Sequence, residues 1–152
     1  MFRALAALSV LLVGCNAGLH PYDTCVDDGA PSDAGFPALA AELLVPDVDT
    51  GVTFYRDTLG FTLLRNTAAQ KSCFAELELE GGRVMLSHVP RPTGPDDGIE
   101  LRFVVRDVDA MDARCRERGV PYVRALADQE YGLRDFVVRD PYGFRVRFGT
   151  PR

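Results

Sequence analysis

With 152 residues, 47% of them hydrophobic and 26% charged, the chain has the composition of one globular domain with room for a sizeable core. The net charge of −5 is concentrated near one end: residues 16–35 hold Asp23, Asp27, Asp28 and Asp33 with no Lys or Arg, while from Phe36 onward 16 basic residues stand against 18 acidic ones. A disordered or fibrous chain is excluded, and no basic stripe or like-charge block points to nucleic acid.

Arg3 supplies a positive charge, Ala4 to Val13 is an unbroken apolar run, and the run closes on Leu12-Val13-Gly14-Cys15. Such a run is too short to span a bilayer and has the form of a secretory h-region. Leu-Val-Gly-Cys resembles the lipobox of bacterial lipoproteins. The resemblance implies cleavage before Cys15, a diacylglycerol on its sulfur and a lipid-anchored location in the cell envelope, with Asn16 giving no retention at an inner membrane. The other reading is a mis-called start codon ahead of a cytoplasmic domain. Residues 16–35 lack periodicity and are rich in Gly, Pro, Ser and Asp, the composition of a flexible tether. The expected division is therefore 1–14 signal peptide, 15–35 tether and 36–152 folded domain. With Cys15 lipidated, Cys25, Cys73 and Cys115 allow one disulfide at most, and none stands in a C-x-x-C pair.

From Leu39 the pattern becomes regular. Leu39, Ala41, Leu43 and Val45 alternate with Ala40, Glu42 and Leu44 as a half-buried strand. Asp49 is a candidate N-cap for a helix that carries Val52, Tyr55 and Leu59 on one face and stops at Gly60. Strands follow at Phe61 to Arg65, Phe74 to Glu80 and Val84 to His88, the last two joined at Gly81-Gly82. A linker with three prolines, Pro90 to Gly98, precedes a second set. Leu101, Phe103 and Val105 alternate with Glu100, Arg102 and Val104; Asp107-Val108-Asp109 caps a helix with Val108, Met111 and Cys115 on one face; Pro121 to Ala125 is a strand. The closing hairpin turns at Asp140-Pro141-Tyr142-Gly143, with Phe144, Val146 and Phe148 on one strand face and Arg145 and Arg147 on the other.

Val45-Pro-Asp-Val-Asp49 and Val105-Arg-Asp-Val-Asp109 stand 60 residues apart, so the chain is a twofold internal repeat of strand, helix and three strands. Two such units, with Phe54-Tyr55-Arg56-Asp57-Thr58-Leu59-Gly60-Phe61 and Arg139-Asp-Pro-Tyr-Gly143 in this order, resemble the vicinal oxygen chelate superfamily of glyoxalases, extradiol dioxygenases and bleomycin-binding proteins. The resemblance covers residues 39–149. It implies an α+β fold: two βαβββ repeats forming a cupped mixed or antiparallel sheet, helices on the convex face and ligand on the concave one. The alternation agrees, because each clear strand has one apolar face and one bearing Glu42, Glu76, Glu78, Glu100, Arg102, Arg145 or Arg147.

Metal-using members place ligands on the first and last strand of each unit. Carried onto this chain, those positions are Ala40, Leu86, Glu100 and Arg147. Alanine and leucine donate nothing, and a guanidinium repels a cation, so a metal-free site without cofactor is expected. Glu100 and Arg147 are expected to pair across that site. His88 shares strand parity with Val84 and Leu86 and is the one residual donor, read as pointing toward the cup. Tyr131, in a segment similar to the aromatic-Gly-x-Arg-x-Phe segment of bleomycin-resistance members, is placed against the groove. Glu42, His88, Glu100, Arg102, Tyr131 and Arg147 are thus the candidate ligand-binding residues. Catalysis would need an acid, base or nucleophile, for which Glu100, Glu42 and Cys73 are the candidates, with Cys73 read foremost as a buried small residue and Cys115 as core. The expected activity is non-catalytic binding of a small polar molecule, with a groove at a homodimer interface as the family implies. A lyase, glutathione transferase or dioxygenase with an atypical metal site, or an envelope module that binds a protein partner, are the alternatives.

Overall fold

The computed structural model describes residues 39–67, 72–92, 94–95 and 98–152; the expected signal, Cys15 and the expected tether lie outside the described residues. The first unit comprises β1 (Ala41–Val45), α1 (Val48–Val52), β2 (Thr62–Asn66), β3 (Phe74–Leu79) and β4 (Gly82–His88). The second comprises β5 (Glu100–Val104), α2 (Val108–Glu117), β6 (Tyr122–Asp128), β7 (Leu133–Arg139) and β8 (Arg145–Pro151). Each unit forms a four-stranded mixed sheet, in the orders β1-β4-β3-β2 and β5-β8-β7-β6. In both, the first strand runs parallel to the last and the other pairings are antiparallel. The α+β reading and the twofold repeat hold.

Both helices start as an aspartate side chain takes up orphan amide groups. Asp107 accepts from Ala110 N at 2.8 Å, as the sequence suggests. In the first unit the cap is Asp47 rather than Asp49. Asp47 still has extended backbone (φ −150°, ψ 103°), so its carboxylate can reach back to Asp49 N and Thr50 N, whereas Asp49 is already inside the helix. Beyond Val52 the helix widens into a π-helical stretch, Thr53–Thr58, and ends at Gly60 in the left-handed region (φ 88°). Tyr55 and Leu59, four residues apart in this stretch, are both fully buried.

The two sheets share one core on their helix sides. It contains Leu43, Val45, Leu77, Val84 and Leu86 from the first unit and Phe103, Phe136, Val146 and Phe148 from the second. A relay of rings crosses it: Tyr55 to Phe61 (5.3 Å between centroids), Phe61 to Phe103 (5.0 Å), Phe103 to Phe148 (5.8 Å) and Phe148 to Phe136 (5.5 Å). Polar contacts seal the same side. Buried Tyr55 donates its hydroxyl to Asp140 Oδ2 at 3.1 Å, and Tyr142 donates to the Asp47 carbonyl. Gly51 is required beneath that second contact, since an added Cβ would lie 2.6 Å from Leu86 Cδ1 and 3.0 Å from Tyr142 Oη.

Candidate functional site

Strand parity places a polar face on each sheet, opposite the helices. On the second unit this face is built by neighbouring strand pairs. Glu100 lies opposite Arg145 and Arg102 opposite Arg147 in the β5–β8 ladder, while β7 brings Asp135 and Val137 and β6 brings Arg124 alongside. The Arg147 guanidinium stands at the centre. Its Nε donates to Glu100 Oε1 at 2.5 Å, and its Nη1 donates to Asp135 Oδ2 at 3.0 Å and to the Tyr131 hydroxyl at 2.8 Å. Arg145 takes the other Glu100 oxygen at 3.1 Å, and Arg124 takes Asp135 Oδ1 at 2.5 Å. Tyr131 donates its own proton to Asp135 Oδ2 at 2.7 Å.

Burial sets the character of this cluster. Asp135 is fully buried and the Arg147 side chain is 11% exposed. Burial pushes the Asp135 carboxyl upward, but the Tyr131 hydroxyl and the Arg124 and Arg147 guanidiniums outweigh it and leave the group below the usual carboxylate range. The hydrogen bond that Arg147 donates to Glu100 is the largest influence holding its guanidinium protonated. Val137 is fully buried on this face yet lies outside the shared core. A dry floor whose two carboxylates are each held by two guanidiniums is rigid, because moving any one group strands the others. Above it, Tyr131 is 55% exposed while its hydroxyl is fixed, so its ring is a held aromatic surface open to a ligand.

Of the six candidate residues, Glu100, Arg147 and Tyr131 come together here, with Arg102 exposed on the same face. Glu42 belongs to the corresponding face of the first unit, where it accepts from Ser87 Oγ at 2.5 Å; Glu76 beside it pairs with Arg83 at 2.9 Å. His88 does not face a cup. It shares parity with Val84 and Leu86, and those side chains are core, so His88 is on the helix side, where its Nδ1 is buried without a partner.

Leu86 is likewise misplaced as the counterpart of Arg147. Arg147 pairs with Arg102, whose repeat partner is Glu42, and Glu42 pairs with Met85. The residue structurally equivalent to Arg147 is therefore Met85. The spacing between the paired strands differs by two residues in the two units, and a count that slips by one turns a side chain to the opposite face. Asp135 and Arg124 are the members of this network that sequence reasoning missed. Asp135 has the parity opposite to Phe136 and Val138, a signal that was available; the irregular pairing of β6 hides Arg124.

The donor set does not fit a divalent metal. Glu100 is already bound by two guanidiniums, Arg147 fills the place of the last-strand ligand, and Met85 offers only a soft thioether. Among the described residues no three His, Cys, Asp or Glu groups converge. Cys73, the one cysteine among the catalytic candidates, is half-buried rather than buried and is disulfide-bonded, within the single bridge the cysteine count allows, so it offers no free thiolate; Cys115 is core as expected, with its thiol pushed up to about 12 by desolvation.

Comparison with known proteins agrees with this architecture. Residues 38–148 match the sequence model of the Glyoxalase/Bleomycin resistance protein/Dioxygenase superfamily. Uncharacterized proteins of Mycobacterium bovis and Mycobacterium tuberculosis are 32% identical over 127 residues, covering 76% of this chain and 84% and 75% of theirs. Among solved structures, TioX from Micromonospora sp. ML1 is 28% identical with a TM-score of 0.67, covering 78% of this chain and 100% of that one. TnmS3, described as an antibiotic binding protein from Streptomyces sp. CB03234, is 26% identical with a TM-score of 0.59, covering 76% and 97%. The chain belongs to the glyoxalase/bleomycin resistance protein/dioxygenase superfamily, the vicinal oxygen chelate fold indicated by its paired βαβββ units.

Proposed function

We propose that this protein binds a small polar molecule on the polar face of its second unit, without a metal and without chemistry. The observation that carries the reading is the Arg147 network: where a metal-using relative needs an acceptor, this chain puts a cation already saturated by Glu100 and Asp135. A preformed polar floor under an exposed aromatic ring suits recognition by stacking plus a few directed hydrogen bonds. The antibiotic-binding description of the similar TnmS3 favours the same class of activity. A thermal-shift screen of small polar and aromatic compounds tests it. Hits are expected to stabilise wild type and to lose that effect in Tyr131→Ala; a screen without hits, or hits indifferent to Tyr131, contradicts the proposal.

The site is completed, on this reading, by a second copy of the chain. β1 and β5 are edge strands, and each carries an exposed apolar residue at equivalent repeat positions, Leu44 (43%) and Val104 (57%). Pairing them in a twofold dimer would cover both and set the Glu42 face of one copy beside the Arg147 face of the other.

We also propose that residues 1–14 are a lipoprotein signal and that Cys15 is lipidated, with residues 15–35 tethering the 36–152 domain in the cell envelope. The disulfide at Cys73 supports an oxidising compartment. Palmitate label incorporated by wild type and lost in Cys15→Ser is the expected result; an unlabelled wild type refutes the anchor.

A further inference from the structure

We infer that the polar face of the second unit holds an anionic group of its ligand, a carboxylate or a phosphate, between Arg102 and Arg145. This rests on the binding reading above and adds the charge of what is bound. Four guanidiniums, those of Arg102, Arg124, Arg145 and Arg147, share the face with two carboxylates, Glu100 and Asp135.

Both carboxylates are fully used. Glu100 gives Oε1 to Arg147 and Oε2 to Arg145; Asp135 gives Oδ1 to Arg124 and Oδ2 to Arg147 and Tyr131. Nothing acidic on this face remains for Arg102, which is exposed and has no hydrogen-bond or ion-pair partner among the described residues. The existing pairs also leave donors over, since the Nε groups of Arg124 and Arg145 are buried without a partner. Arg102 and Arg145 are diagonal neighbours on adjacent parallel strands and point to the same side. An excess of cationic donors beside a rigid, partly dry floor attracts an anion and fixes it through charge-assisted hydrogen bonds. The first unit's face has the opposite balance, with Glu42, Glu76 and Glu78 against Arg65 and Arg83, and makes no such site.

The experiment is a titration of the full-length chain, labelled at arginine Nε, with inorganic phosphate, benzoate and the neutral benzamide, followed by NMR at constant ionic strength. Phosphate and benzoate are expected to shift the Arg102 and Arg145 Nε–Hε signals saturably, and benzamide is not. Arg102→Gln, at an exposed unpaired position, should weaken anion binding about fivefold, the effect of one charge-assisted hydrogen bond at a partly solvated site, and leave the oligomeric state unchanged. Anion binding indifferent to Arg102→Gln overturns the inference, as does a variant that instead dissociates the protein, which would assign Arg102 to a subunit contact. If benzamide or a screening hit perturbs Tyr131 and Asp135 while anions perturb nothing, the binding reading stands and the anion site falls. If no probe perturbs this face, both fall.

Discussion

Asp140 shows how one side chain can serve the turn and the packing of the two units together. Its Oδ1 accepts from Tyr142 N (2.9 Å) and Phe144 N (2.8 Å), which shapes the hairpin, and its Oδ2 accepts from Tyr55 of the first unit. Burial outweighs these hydrogen bonds and holds the carboxyl above its ordinary value. A raised folded value means that the group's contribution to stability is present below about pH 4 and is lost as pH rises through the folded value. Asp140→Ala should lower stability by about 2–3 kcal/mol, because buried donors lose their acceptor. Asp140→Asn should cost less, and its deficit relative to wild type should shrink as pH rises from about 4 to 7, where only the wild type carries a buried charge. Urea denaturation across that range is the check; equal losses for both variants, independent of pH, would contradict the account. The Glu100–Arg147 pair was legible because the family resemblance puts the two positions opposite each other, and strand parity turns both toward the polar face. The rest of the network was not read: the parity of Asp135, opposite to Phe136 and Val138, was a signal left unused, and the irregular pairing of β6 hides Arg124.

At the level of elements, β1 and β5 decide how the molecule presents itself. Each pairs on one side only, with β4 and β8, and leaves the other edge open. Alternation in the sequence revealed these strands and their buried faces, since Leu43, Val45, Leu101 and Phe103 are core in the structure. It did not reveal the π-helical stretch, whose apolar positions fall at spacings an ordinary helix would also show, nor the choice of Asp47 over Asp49 as cap. If the open edges meet in a dimer, Val104→Asp should dissociate it with little loss of fold, because Val104 is outside the core. Light scattering after size exclusion should then report a dimer for wild type and a monomer for the variant; a monomeric wild type removes the dimer from the account.

Over the whole molecule, two copies of one motif are joined through rings and tyrosine hydroxyls on the helix side, which leaves both polar faces turned away from the shared core. The same internal repeat has diverged on its polar faces: Glu42 and Met85 in one unit stand where Arg102 and Arg147 stand in the other. In the second unit an ion-pair network occupies the Glu100 and Arg147 positions, and the metal-independent binding proposed above rests on it. The most direct test is calorimetric titration of the strongest screening hit into protein dialysed against EDTA, repeated after addition of Zn, Mn or Fe salts. The account predicts the same affinity in all four samples. Binding that appears only with one of the metals, and that Glu100→Gln abolishes, would contradict it.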